Sequence, residues 1–215
     1  RLTGLAPAYL EVALHRAVKR GTISHLERQK YYFESTHPFA VASNIAFPSY
    51  ISFLSALSHH NLTTQMPRQI TVASLRNRKP VMLGNDTVSF VAFAAHRIFG
   101  YDRINLDGCF AFVATPEKAI VDSLYLPRHC PISESFAAIQ MGIFDANKMM
   151  GFARRMDSIV LLKRLGYLLD LAGTDMSETL TPLLNRKLDL LNPLLPAKRD
   201  SNSKWKLIIN ERLES

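Results

Sequence analysis

At 215 residues, 47% hydrophobic and 20% charged, the chain has a globular composition and is long enough for one large domain or two small ones. A net charge of +8 favours polyanionic partners, and no apolar run approaches the roughly 20 residues of a bilayer-spanning helix. Its two cysteines, Cys109 and Cys130, fit no metal-ligand spacing and are too few for a disulfide scaffold, so a reduced, cytoplasmic protein without cofactor is expected.

The turn Leu2-Thr3-Gly4-Leu5 leads into a helix-periodic stretch from Ala6 to Arg20, stopped by Gly21. Leu10, Leu14, Ala17 and Val18 form an apolar stripe at the spacing of a core-facing surface. Tyr9, Glu11, His15, Arg16, Lys19 and Arg20 fall on the other side. Two β-prone runs, Thr22–Leu26 and Tyr31–Ser35, follow, joined by Glu27-Arg28-Gln29-Lys30. Helix, glycine stop and basic-tipped hairpin, in that order, predict the recognition helix and wing of a winged-helix DNA reader. That unit needs supporting helices ahead of Thr3-Gly4, and the sequence starts at Arg1, so its first helices are expected to be missing. Residues 1–35 hold six cations, Arg1, Arg16, Lys19, Arg20, Arg28 and Lys30, against Glu11, Glu27 and Glu34. Tyr9, His15, Arg16, Lys19 and Arg20 are therefore expected to face DNA, with Arg28 and Lys30 on phosphate at the wing tip.

Thr36-His37-Pro38 breaks the hairpin and opens a second unit, giving an expected division into residues 1–36 and 37–215. Ser49–His60 reads as a helix preceded by Pro48 and capped by Asn61. Gln69–Ser74, Thr87–Ala92 and Phe110–Val113 read as strands of a small antiparallel sheet. Thr115-Pro116 opens a helix running to Tyr125, with an N-cap threonine and proline at the first helical position. From residue 133 the pattern turns mainly helical. Ser133–Met141 is one helix, a second capped by Asp145 runs towards Met156, and a third capped by Ser158 runs from Ile159 to Leu171 and stops at Gly173. In the third, Leu161, Leu165, Leu168 and Leu169 form a stripe expected to be core. A further helix is expected from Thr174 to Leu191, broken at Pro182, and Lys204–Ile209 is expected to join the sheet as a strand. The pairs Arg154-Arg155, Lys163-Arg164 and Arg186-Lys187 read as solvated helix faces. The class that results is α+β, a winged helix followed by a mixed domain with a helical C-terminal part.

No catalytic signature emerges, and the chain is read as a non-enzyme. The seven histidines make no H-E-x-x-H or Cys/His zinc pattern, and there is no G-x-S-x-G elbow, P-loop or dinucleotide-binding glycine run. Asp86, Asp102, Asp107, Glu117 and Lys118 are the groups a nuclease would draw on, but Glu117 and Lys118 are neighbours at a helix start and diverge.

Several segments in order resemble the AbiEi family of antitoxins, predicted transcriptional regulators of viral defence systems. They are A-L-H-R-A-V-K-R-G-T-I-S-H-L at 13–26 with K-Y-Y-F at 30–33, S-Y-I-S-F-L-S-A-L-S-H-H-N-L-T-T-Q-M-P at 49–67 and I-T-V-A at 70–73. V-A-T-P-E-K-A-I-V-D-S-L at 113–124, L-L-K-R-L-G-Y-L-L-D at 161–170 and W-K-L-I-I-N at 205–210 complete the set. Lys30 departs from it, standing where the glycine of the wing turn would be expected. The resemblance implies a cytoplasmic autorepressor that binds promoter repeats in duplex DNA. It also implies a type IV antitoxin that counters a nucleotidyltransferase toxin without a stable complex, with DNA binding in residues 1–36 and neutralisation in 37–215. The alternative left open is a protein-interaction module, or an orphan winged-helix regulator with no toxin partner.

Overall fold

The computed structural model describes residues 6–213; Arg1 and the turn Leu2–Leu5 lie outside them. The chain is α+β. Helix α1, Pro7–Lys19, precedes a hairpin of β1, Ile23–Glu27, and β2, Lys30–Phe33. Gly21, at φ +70°, makes the sharp exit from the helix that an L-residue with a Cβ resists. Gln29 at φ 63° supplies the left-handed turn position, and Lys30, where the glycine was expected, pairs directly with Glu27. The hairpin tip is therefore Arg28-Gln29, and Lys30 is the first residue of β2.

Next come α2, Pro38–Asn44, β3, Ser49–Ile51, α3, Phe53–His59, β4, Gln69–Ser74, β5, Val81–Leu83, and β6, Asp86–Ala92. Strands β7, Tyr101–Leu106, and β8, Cys109–Ala114, complete a six-stranded sheet of order β5-β6-β4-β3-β8-β7. It is mixed rather than antiparallel: β4 runs parallel to β6 and β3 parallel to β8. Asp107 and Gly108, at φ 52° and 81°, form the two-residue turn between β7 and β8, the chirality that matches strand twist. Asp107 thus serves a turn and stands away from Glu117.

Ser49–Ile51 was expected to start a helix; it is a central strand, with Tyr50 and Ile51 fully buried between β4 and β8. Aromatic Tyr50 and β-branched Ile51 suit that two-sided burial, and the helix begins only after Ser52. Asn61 follows its end in the left-handed region, at φ 57°, as a helix stop of this kind requires.

Helix α4, Pro116–Tyr125, is the hub of the body, touching α3, β8 and the three helices that follow: α5, Ile132–Gln140, α6, Ala146–Arg155, and α7, Ile159–Leu171. Every residue from Glu117 to Leu124 is buried. The caps lie where the sequence puts them: the Thr115, Asp145 and Ser158 side chains accept the amides of Lys118, Lys148 and Leu161. Leu161, Leu165, Leu168 and Leu169 are all fully buried, as a stripe at helical spacing predicts.

Beyond Gly173 the expected long helix shrinks to α8, Ser177–Leu180, with one 3-10 turn at Thr181–Leu183. Three two-residue strands, β9, Asp189–Leu190, β10, Ser201–Asn202, and β11, Leu207–Ile208, then make a separate small sheet of order β10-β11-β9. Lys204–Ile209 therefore does not extend the main sheet. Its Trp205 is fully buried against Gly166 of α7, and its indole Nε1 donates to Asp170 Oδ2 at 2.8 Å. The cations of α7 bind this same tail. Lys163 donates to Asn185 Oδ1 and Asp189 Oδ2, both at 2.7 Å. Arg164 donates to the carbonyls of Leu191, Leu124 and Leu190 at 2.9, 3.0 and 3.2 Å. Both are buried, so this pair is internal rather than a solvated face. Burial draws the Arg164 guanidinium down to about 10, which leaves it charged at neutral pH.

Candidate nucleic-acid interface

Helix α1 starts with proline at its first positions, where a missing N–H is no loss, and ends with Arg16 and Lys19 in its last turn, where cations complement the helix dipole. With 3.6 residues per turn, Tyr9, Arg16 and Arg20 fall on one line. They border a groove of about 350 Å3 with Val12, Ala13 and Thr22. Lys19 and His15 stand farther round the same helix, exposed but outside that groove. Arg28 is exposed at the hairpin tip. None of Arg16, Lys19, Arg20 and Arg28 has a carboxylate within ion-pair distance among the described residues.

The opposite face of α1 departs from expectation. Leu10 and Val18 are each 36% exposed, while Leu14 and Ala17 are half-buried. Among the described residues α1 packs chiefly on β1, and Leu10 and Val18 remain exposed.

Lys30 is engaged internally. Its ammonium lies 2.7 Å from Glu27 and donates to the Ile45 carbonyl at 2.6 Å. Arg78, from the loop between β4 and β5, donates to both Glu27 oxygens at 2.8 Å and to the same carbonyl at 3.2 Å. One carboxylate and one carbonyl thus gather two cations and fasten the hairpin to the body, with β1 against β5. Arg78 escaped the sequence reading because it stands 51 residues from Glu27, with no local pattern linking them.

The Lys30 bond, assisted by Arg78 and opposed by partial burial, holds the Glu27 carboxyl below its ordinary value of 4.5. The sign follows directly: the clamp's contribution is complete above pH 4.5 and is lost as pH falls from there through the depressed value of the folded protein. An NMR titration should give a Glu27 midpoint below 4.5, with hairpin amides shifting in step. A Glu27 midpoint at the ordinary value would show that the clamp is not formed in solution.

The groups considered for a nuclease do not converge. Glu117 accepts the Asp145 amide at 3.1 Å and pairs with Lys148 at 3.0 Å. Lys118 turns inward to Asp122, and Asp102 is exposed on β7. Among the described residues no group of three or more His, Cys, Asp and Glu side chains is disposed to hold a metal ion. His60 meets the Ala114 carbonyl of β8 at 2.7 Å through a ring nitrogen. No helix among the described residues is long and apolar enough to cross a membrane.

No protein-family model matches the chain, and the comparison with curated proteins gives no match. Among solved structures it is similar to the crystal structure of the RV2827C protein from Mycobacterium tuberculosis, at 13% sequence identity and a TM-score of 0.64, over 95% of this chain and 80% of that one. At that identity the likeness establishes a shared α+β fold, and nothing about activity is carried by it.

Proposed function

We propose that the chain is a DNA-binding transcriptional autorepressor and antitoxin of a type IV toxin–antitoxin system, acting in the cytoplasm against a nucleotidyltransferase toxin. In this reading α1 is the recognition helix and the β1–β2 hairpin the wing of a winged helix, and residues 37–215 carry neutralisation. The observation that supports it best is the line of Tyr9, Arg16 and Arg20 along a helix beside a hairpin whose tip presents Arg28, with no carboxylate engaging these cations among the described residues. Cations left free in this way can neutralise phosphates, whereas paired ones cannot without first breaking the pair. Tyr9, His15, Arg16, Lys19 and Arg20 face the duplex and Arg28 touches phosphate. Lys30 aims the wing through Glu27 and Ile45.

The test is duplex binding by the full chain, using promoter DNA of its own operon, across a salt series. Arg16→Ala, Arg20→Ala and Arg28→Ala should each lower the slope of log affinity against log salt by about 1. An unchanged slope in all three would end the assignment. Co-expression of residues 37–215 with the product of the adjacent reading frame tests the second half, with growth rescue expected and operator binding absent. The exposed Tyr9, Leu10, Val12 and Val18 favour a second reading, a protein-binding module, which stands if α1 variants lose a protein partner and never bound DNA.

A further inference from the structure

One groove outside the helix–hairpin unit gathers cations without any acid. It measures about 300 Å3 and is lined by Leu54 of α3, by Pro67, Arg68 and Gln69 at the entry to β4, and by Arg128 and His129 after α4. Both guanidiniums are exposed, and neither has a carboxylate within ion-pair distance among the described residues. The nearby acid Glu134 is bonded by Thr63 and by Gln65.

Arg128 has a side-chain partner in its sequence neighbour. Its Nε donates to His129 Nε2 at 3.2 Å, and the His129 ring sits 5.1 Å from that of the fully buried Phe53. Burial and the Arg128 charge draw His129 below the usual histidine range, so its Nε2 remains an acceptor at neutral pH. The two terminal amino groups of Arg128 then keep their four N–H donors free. Gln69 is likewise tied, to the Ser89 hydroxyl. Phe53, packed against the His129 ring, holds a left-handed backbone at φ 56°, a conformation rare for a non-glycine residue.

We propose that this groove binds the phosphate of a small phosphorylated molecule, with Arg68 and Arg128 clasping the oxyanion and Leu54 and Pro67 packing on the rest. Two guanidinium forks suit a phosphate's oxygens, and a concave apolar wall suits an attached organic group. A nucleic-acid backbone places no apolar group on Leu54 and Pro67 and so fits less well, and the groove also stands apart from the hairpin. Strand β4 runs from Gln69 at the groove to Ser74, next to the loop whose Arg78 ties the hairpin. At about 3.3 Å per residue this puts the groove roughly 17 Å from the hairpin end of that strand. The inference is independent of the DNA-binding reading of α1.

The experiment is calorimetric titration of the full chain with adenosine monophosphate and with inorganic pyrophosphate, in parallel with a short duplex. Saturable binding of either small probe is expected, weakened about tenfold or more by Arg68→Ala and by Arg128→Ala, with duplex affinity unchanged. Both arginines are exposed, so each variant should fold, which thermal melting checks. Failure of both small probes to saturate, or equal affinity in the variants, overturns the proposal. Loss of duplex binding in the variants overturns it too and makes the groove a backbone contact.

Discussion

Replacing Lys118 by Met should cost about 3–5 kcal/mol of folding stability, because it strands a buried carboxylate. Lys118 and Asp122 are both fully buried, one turn apart on α4, and ion-paired. Asp122 also accepts from the hydroxyls of Tyr50 and Ser52 at 3.0 and 2.8 Å, so the pair joins the hub helix to the central strand of the sheet. The rings of Phe93 and Phe99 lie 5.2 and 4.4 Å from the ammonium and keep water away from it. Burial pulls the lysine down from its usual range and pushes the aspartate up, each opposed by the partner's charge. Without Lys118 that opposition disappears and Asp122 is pushed higher still. A carboxyl whose folded value exceeds its unfolded one loses stability as pH rises from the unfolded value through the folded one. The deficit of Lys118→Met should therefore be smallest in acid and grow towards neutrality. Denaturant melts of the variant across pH test both claims; a deficit under about 1 kcal/mol at neutral pH would mean the pair contributes little beyond what an apolar chain does.

Gly166→Ala should be the second severe lesion, although it places a better helix former in the middle of α7. A Cβ at position 166 would stand 2.1 Å from Trp205 Cζ3 and 2.5 Å from two more ring carbons, distances no packing tolerates. Alanine gains about 1 kcal/mol of helix propensity over glycine. Expelling the indole from its slot forfeits a burial worth about 3–5 kcal/mol, so a net loss of about 2–4 kcal/mol is expected. Trp205 anchors the tail that Lys163 and Arg164 also bind, so β9–β11 should loosen together. A double-mutant cycle separates the causes: with Trp205→Ala already in place, Gly166→Ala should become neutral or stabilising. A single Gly166→Ala variant as stable as the parent would refute the close approach.

What the sequence settles here is local in origin. The caps at Thr115, Asp145 and Ser158, the stops at Gly21 and Gly173, and the leucine face of α7 each depend on residues within a few positions. The basic line on α1 was legible for the same reason, since a helix period maps sequence onto a face without help from the rest of the chain.

Other features were decided by partners far away in the chain. Ser49–Ile51 is a strand because β4 and β8 flank it, and residues 174–209 are mostly irregular because Lys163, Arg164 and Trp205 hold them against α7. Lys163-Arg164 looks like any solvated basic pair until carbonyls and the Asp189 carboxylate, 22 to 40 residues distant, surround it. Lys30 looked like a free wing tip until the Ile45 carbonyl, 15 residues on, and a Glu27 shared with Arg78 engaged it. Periodicity and caps are written in neighbouring residues, whereas the burial of a charge depends on which distant groups the fold brings to it, and only the tertiary structure supplies them.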